Sequence, residues 1–174
     1  ALQTIVSRNV PPLEAAVVSV TYFHAGEAFN VIPKSVELRG TIRTFLPQVQ
    51  KMVADRFAQI VQGVSGAMGC SAEIDIKITT PAVINDEMLA SRISKVVDIT
   101  VPGATLISNF RTMGSEDFAF MMQNIPGCYL MVGSANREKG LVFGHHHPKF
   151  DIDERALVNG VSLMTNAALT LLSR

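Results

Sequence analysis

Period-two alternation recurs in three stretches of this chain and limits its fold more than any other feature, because it places successive side chains on opposite faces of an extended strand. Between residues 71 and 79, Ala72, Ile74, Ile76 and Ile78 alternate with Glu73, Asp75, Lys77 and Thr79. Between 36 and 43, Val36, Leu38, Gly40 and Ile42 alternate with Glu37, Arg39, Thr41 and Arg43. The run AAVVSVTYF at 15–23 is β-branched and aromatic, with Val18, Val20 and Tyr22 on one parity and Ser19 and Thr21 on the other. Each reads as a strand in a sheet with one packed face and one polar face.

A helical period separates the second strand from the third. Pro47 suits a first helical position, and Val49, Val53, Phe57, Ile60, Val64 and Met68 follow at helical spacing until Gly66 and Gly69 end the pattern. Leu2, Ile5 and Val6 also recur at helical spacing, up to Asn9 and the stop at Pro11-Pro12. No cap signal and no Met precede them, so a helix whose beginning lies outside the chain is expected. The order helix, strand, strand, helix, strand is a split βαβ pattern without its first strand, and it predicts a sheet covered on one face by two helices.

The texture changes after Pro81, which puts a domain boundary near residue 82 and divides the 174 residues into 1–82 and 83–174. Asn85 is expected to cap a helix with Asp86 and Glu87 in its first turn and Leu89, Ile93, Val96 and Val97 as its apolar stripe. A short β-like piece at 105–107, the loop RTMGSEDF, a short helix to about Asn124 and a buried run CYLMVGS follow. The final helix, from about Glu154 to Leu172, carries Leu157, Val161, Met164, Ala168 and Leu171 on one side, with Asp151 and Glu154 spaced as a capping box.

Composition narrows the functional classes. Lys and Arg total 15 and Asp and Glu total 15, so no basic excess exists to neutralise a phosphate backbone, and nucleic acid is excluded as an expected partner. At 48% hydrophobic and 17% charged residues the chain is expected to fold. No uncharged apolar run approaches the roughly 18 residues of a membrane span, so no membrane partner and a cytoplasmic location are expected. Cys70 and Cys128 lack a C-x-x-C or secreted-scaffold pattern and read as core thiols.

Three groups of residues could carry chemistry. His145, His146 and His147 lie together in G-H-H-H-P, and neutral imidazole is a common metal ligand. In an extended tripeptide His146 faces away from its neighbours, so at most one or two of the three share a site; a solvated loop of histidines fits the pattern equally well. With only His24 and Cys70 besides the triplet, either the histidines are structural or the remaining ligands lie outside this chain. In the loop MGSEDF, Gly114 and Ser115 would let the backbone approach a ligand, and Glu116 and Asp117 could bind it. Ser115 is also a good N-cap, with two acids where a helix dipole favours them. Asn30 sits in a turn before V-I-P, and Arg43 on the polar side of its strand could grip a carboxylate or serve as a surface charge.

The segments HAGEAFNVIPKSVELRGTIRTF, TMGSEDFAFMMQNIPGCYLMVG and GHHHPKFDIDERAL resemble, in that order, the metal-dependent amidohydrolases of the peptidase M20 family, in its aminoacylase, hippurate hydrolase and auxin-conjugate hydrolase branch. The resemblance covers the C-terminal portion of such an enzyme. It implies an α/β (α+β) protein: a ferredoxin-like split βαβ lid and dimerisation domain lacking its first strand, then the C-terminal part of an M20-type α/β catalytic domain. It also implies hydrolysis of the amide bond of N-acyl amino acids by water activated on divalent metal ions (Zn, Mn, Ni or Co), two in an intact site. Carried over residue by residue, His146 matches the last metal ligand, with Pro148 and Phe150 in the same H-x-P-x-F element and Glu154 beyond it. Asn30 and Arg43 match catalytic lid residues that reach a neighbouring subunit's site. Gly114, Ser115 and Glu116 match the substrate-side loop. The family's other ligands and its general base fall in the part this chain lacks, so the resemblance implies a homodimer through the lid, reliance on the missing N-terminal part, and no activity from the 174 residues alone. The rival expectation is a non-catalytic dimerisation or binding module of the same fold.

Overall fold

The structure is a computed structural model and describes residues 1–173. The chain is a mixed α/β protein in two compact units, Ala1–Ala82 with Thr112–Glu116 and Val83–Arg111 with Asp117–Arg174. In the first, α1 (Thr4–Arg8) precedes an antiparallel hairpin of β1 (Ala16–Ala25) and β2 (Val36–Thr44), followed by α2 (Pro47–Ala67). Ile5, Val18, Val49 and Val53 form the core, flanked by Leu2, Val6, Ala16, Ile42, Met52 and Phe57. Burying aliphatic side chains of this size contributes about 1.5–3 kcal/mol each, and that anchors both helices on one face of the hairpin.

A bulge revises the expected faces of β1. Val18 pairs with Ile42 on the packed parity, but the register shifts between Val20 and Tyr22, so Tyr22 pairs with Arg39 on the polar parity. The extra residue of a bulge reverses the alternation beyond it. Tyr22 therefore lies under the Arg39 guanidinium, 5.1 Å from its ring centroid, with His24 at 6.2 Å. The shift brings Gly40 against the backbone of β1: a Cβ there would sit 2.0 Å from the Ser19 carbonyl oxygen.

Among the described residues the sheet has two strands. Residues 71–79, the cleanest alternation in the sequence, form no ladder, and Ile76 and Ile78 are exposed. Alternation prescribes two faces, but a strand also needs a neighbouring edge, and no described segment supplies one. The same cause unmakes the β-like piece at 105–107 and the buried run CYLMVGS, where Leu130, Met131 and Val132 are exposed. The cysteines depart from the core-thiol expectation too. Cys70 is exposed beyond the end of α2; Cys128 is half-buried, and burial pushes its thiol pKa up, with Asp86 adding to the rise.

The second unit holds α3 (Glu87–Thr100), α4 (Phe118–Met122) and α5 (Arg155–Leu172). Helices α3 and α5 pack together. Their buried residues are Ile93, Val96 and Val97 on α3, and Leu163 and Ala167 on α5. The expected α5 stripe faces the other way: Leu157, Val161 and Met164 are exposed. This helix is apolar on more than one side, so periodicity could not single out the face that packs on α3. The caps differ as well. Asp86, not Asn85, caps α3, its Oδ1 accepting from the Leu89 amide at 2.9 Å. Asn85 instead bridges to the Tyr129 backbone, donating to its carbonyl at 3.0 Å and accepting from its amide at 2.8 Å. The Asp151–Glu154 box does not form; Asp151 accepts from the Ile152 amide, and Asp153 takes the helix entrance. Among the described residues no helix is long and apolar enough to cross a membrane.

Candidate functional site

Two of the sequence-selected groups meet within the first unit. Arg43, near the end of β2 and half-buried, donates from Nη1 to the Met113 carbonyl at 2.5 Å and to Ser115 Oγ at 3.4 Å. The strand fixes the Cα of Arg43, and the long side chain spans 70 residues of sequence to hold the loop at 112–116. A guanidinium has five N–H donors, and both bonds use one nitrogen, so Nη2 and Nε keep donors for a planar anion. Ser115 does not cap the following helix; Asp117 is the residue ahead of α4, and it makes no side-chain cap bond. Ser115 is exposed and Glu116 half-buried. A Cβ on Gly114 would meet nothing nearer than Thr112 Oγ1 at 3.9 Å, so no described neighbour requires a glycine there.

Asn30 is exposed in the connection between β1 and β2. That connection starts at Gly26, whose φ of 69° is left-handed and where an added Cβ would come within 3.5 Å of Pro33 Cβ.

The histidines of residues 145–147 lie in the second unit, all exposed, and each has a different environment. His147 stacks on Phe143, with centroids 4.2 Å apart and planes 10° from parallel, and its Nδ1 accepts from the Lys149 amide at 3.1 Å. Its proton is therefore assigned to Nε2 in the neutral form. His145 meets Phe150 edge-on at 5.0 Å. His146 has a φ of 67°, the one left-handed non-glycine among the described residues, and its imidazole makes no hydrogen bond or ring contact among them. No three His, Cys, Asp or Glu side chains among the described residues converge as a metal site. The unengaged His146 imidazole could supply one ligand to a metal centre.

Asp153, which the sequence reading passed over, organises the chain just beyond. It is buried and accepts from Asn136 Nδ2 at 2.6 Å, Lys139 Nζ at 3.3 Å and Arg155 Nη2 at 2.7 Å. These bonds, Arg155 first, hold its carboxyl well below the usual carboxylate range. The signal was present in D-I-D-E-R, where the middle acid precedes an arginine by two positions.

The family model described as Peptidase family M20/M25/M40 matches residues 5–170. The chain belongs to the M20 family. An N-acetyldiaminopimelate deacetylase of Anoxybacillus flavithermus is 36% identical over 94% of this chain and 42% of its own length. An IAA-amino acid hydrolase of Arabidopsis thaliana is 34% identical over 96% of this chain and 39% of its own. A solved Bacillus subtilis structure, described as a dinuclear metal binding peptidase from the M20 family, superposes with a TM-score of 0.78 at 30% identity, covering 90% of this chain and 42% of that one. The M20 chain described here thus spans about two fifths of the length of such relatives. Its relatives are hydrolases, named amidohydrolase, deacetylase and carboxypeptidase.

Proposed function

We propose that these residues are the C-terminal portion of an amidohydrolase that cleaves the amide bond of N-acyl amino acids. The observation that carries the reading is Arg43 holding the 112–116 loop, which unites two separate sequence motifs around a guanidinium with donors to spare. Residues 1–82 then serve as a lid and dimerisation domain, ferredoxin-like once a first strand is supplied beside residues 71–79. Residues 83–174 complete the catalytic domain.

In this reading Arg43 and Asn30 act on the partner subunit's substrate, the guanidinium gripping its carboxylate and the amide donating to the developing oxyanion. Gly114, Ser115 and Glu116 border the amino acid, with the open space beside Gly114 left for it. His146 contributes one imidazole to a pair of divalent ions, drawn from Zn, Mn, Ni or Co, that when bound would acidify water and polarise the amide carbonyl. The dinuclear relative and the unengaged His146 ring support that assignment.

The test uses the whole polypeptide that contains these residues. Arg43→Lys is expected to raise KM for an N-acetyl amino acid by roughly 10-fold or more, since a charged, two-pronged contact becomes a single point charge. His146→Ala is expected to lower bound metal and kcat together. An unchanged KM in the first variant and unchanged metal content in the second would reject the assignments. A non-catalytic binding module is the second reading, favoured by exposed Phe23, Val36 and Leu38 on the hairpin. Measurable turnover by the whole polypeptide rejects it.

A further inference from the structure

The assignment of His146 leaves the rest of its loop without a role, although its two neighbouring histidines are as exposed as it is. The structure separates the three by what their rings touch. His147 is stacked on Phe143 and accepts a backbone hydrogen bond through Nδ1, and His145 is edge-on to Phe150. Phe143 is also within reach of Lys149, whose Nζ lies 5.8 Å from the ring centroid. Backbone bonds close the loop around these rings: the His147 amide donates to the Gly144 carbonyl at 3.2 Å and the Phe150 amide to the His147 carbonyl at 2.9 Å. Between the two engaged imidazoles stands the residue with the left-handed backbone.

A side chain with a Cβ adopts that conformation against its intrinsic preference, so something around it must hold it there. The residues on both sides of His146 are the ones with ring partners. A stack on one side and an edge contact on the other restrict the neighbours, and the residue between them absorbs the reversal. We propose that Phe143 and Phe150, through His147 and His145, are positioning residues that keep His146 left-handed and its imidazole free for a divalent cation, while withholding the two flanking imidazoles. The proposal rests on His146 being a metal ligand, and its test separates the two ideas.

Nuclear magnetic resonance of the whole polypeptide that contains these residues, with Mn(II) as probe, reads both. Backbone shifts and the amide–Hα coupling of His146 report its φ, and paramagnetic broadening reports which imidazole meets the ion. Fractional occupancy suffices for broadening, so a single weak ligand is detectable. In the unsubstituted chain the His146 ring is expected to broaden at least about threefold more than those of His24, His145 and His147. Phe143→Leu, which keeps an apolar side chain and loses the stack, is expected to abolish both the left-handed signature and that preference. Phe143→Tyr is expected to keep both, as is His147→Phe, which retains the stack without the Nδ1 acceptor. A left-handed signature and an undiminished preference in Phe143→Leu, with the amide spectrum elsewhere unchanged, would overturn the positioning role. Equal broadening of all four imidazoles in the unsubstituted chain would instead overturn the ligand assignment, and with it the purpose given to these rings.

Discussion

At the scale of single residues, two glycines in similar motifs answer to different constraints. Gly40 lies where β2 presses on the bulged part of β1, and the Ser19 carbonyl occupies the place of a Cβ. Gly40→Ala must push the strands apart or break the ladder, and a loss of at least about 2 kcal/mol of stability is expected in chemical denaturation, the cost of overpacking at backbone rather than at a flexible side chain. Gly114 meets nothing within van der Waals contact beyond Thr112. Gly114→Ala is therefore expected to leave stability within about 0.5 kcal/mol while lowering kcat/KM of the whole enzyme, because the methyl group would protrude into space assigned to substrate. Equal loss of stability in the two variants would contradict the distinction.

At the scale of elements, α5 combines a polar entrance with two apolar faces. Asp153 is ionised against Arg155, Asn136 and Lys139, and its pKa lies below its ordinary value of 3.8. A carboxyl with a depressed folded-state pKa contributes stability that is complete above the unfolded value and is lost as pH falls toward the folded one. Circular dichroism is thus expected to record loss of α5 helicity as pH drops from about 4 toward 2, with a weaker pH dependence in Asp153→Asn. Farther along, Leu163→Ala is expected to cost about 2–3 kcal/mol and Met164→Ala less than about 0.5 kcal/mol, since the first side chain is buried and the second exposed. The helices and the hairpin were legible in the sequence because each shows its own period: Pro47 through Ala67 and Val36 through Thr44 lie within two residues of where the pattern placed them. The bulge at Val20–Tyr22 was not legible, because it depends on which residue of β2 faces which of β1. Nor was the outward stripe of α5, since hydrophobicity records a need for burial without naming what covers it. In the candidate site, Arg43 and the 112–116 loop were each visible as motifs, but their meeting is a contact between residues 70 positions apart.

At the scale of the whole molecule, much apolar surface faces outward. Ile76 and Ile78 lie in a segment outside any helix or strand, Leu130 through Val132 in another, and Leu157, Val161 and Met164 along α5. The relatives it matches are more than twice as long, so in proteins of this family such segments are part of a larger body. Hydrolysis of an amide at neutral pH needs water whose pKa is lowered toward the working pH, a base placed to take the proton and donors aimed at the oxyanion. Among the described residues the metal-ligating side chains do not gather in threes, and His146 lies between two other histidines in an exposed loop. With Zn, Mn, Ni or Co supplied in excess, the 174 residues by themselves are therefore expected to release no amino acid from N-acetylated substrates above the metal-only rate. The comparison includes His146→Ala, because a trace of activity from a contaminating hydrolase would survive that substitution. Turnover that scales with chain concentration and disappears in His146→Ala would show that one imidazole and this loop suffice, against the division of labour argued from the ligand count.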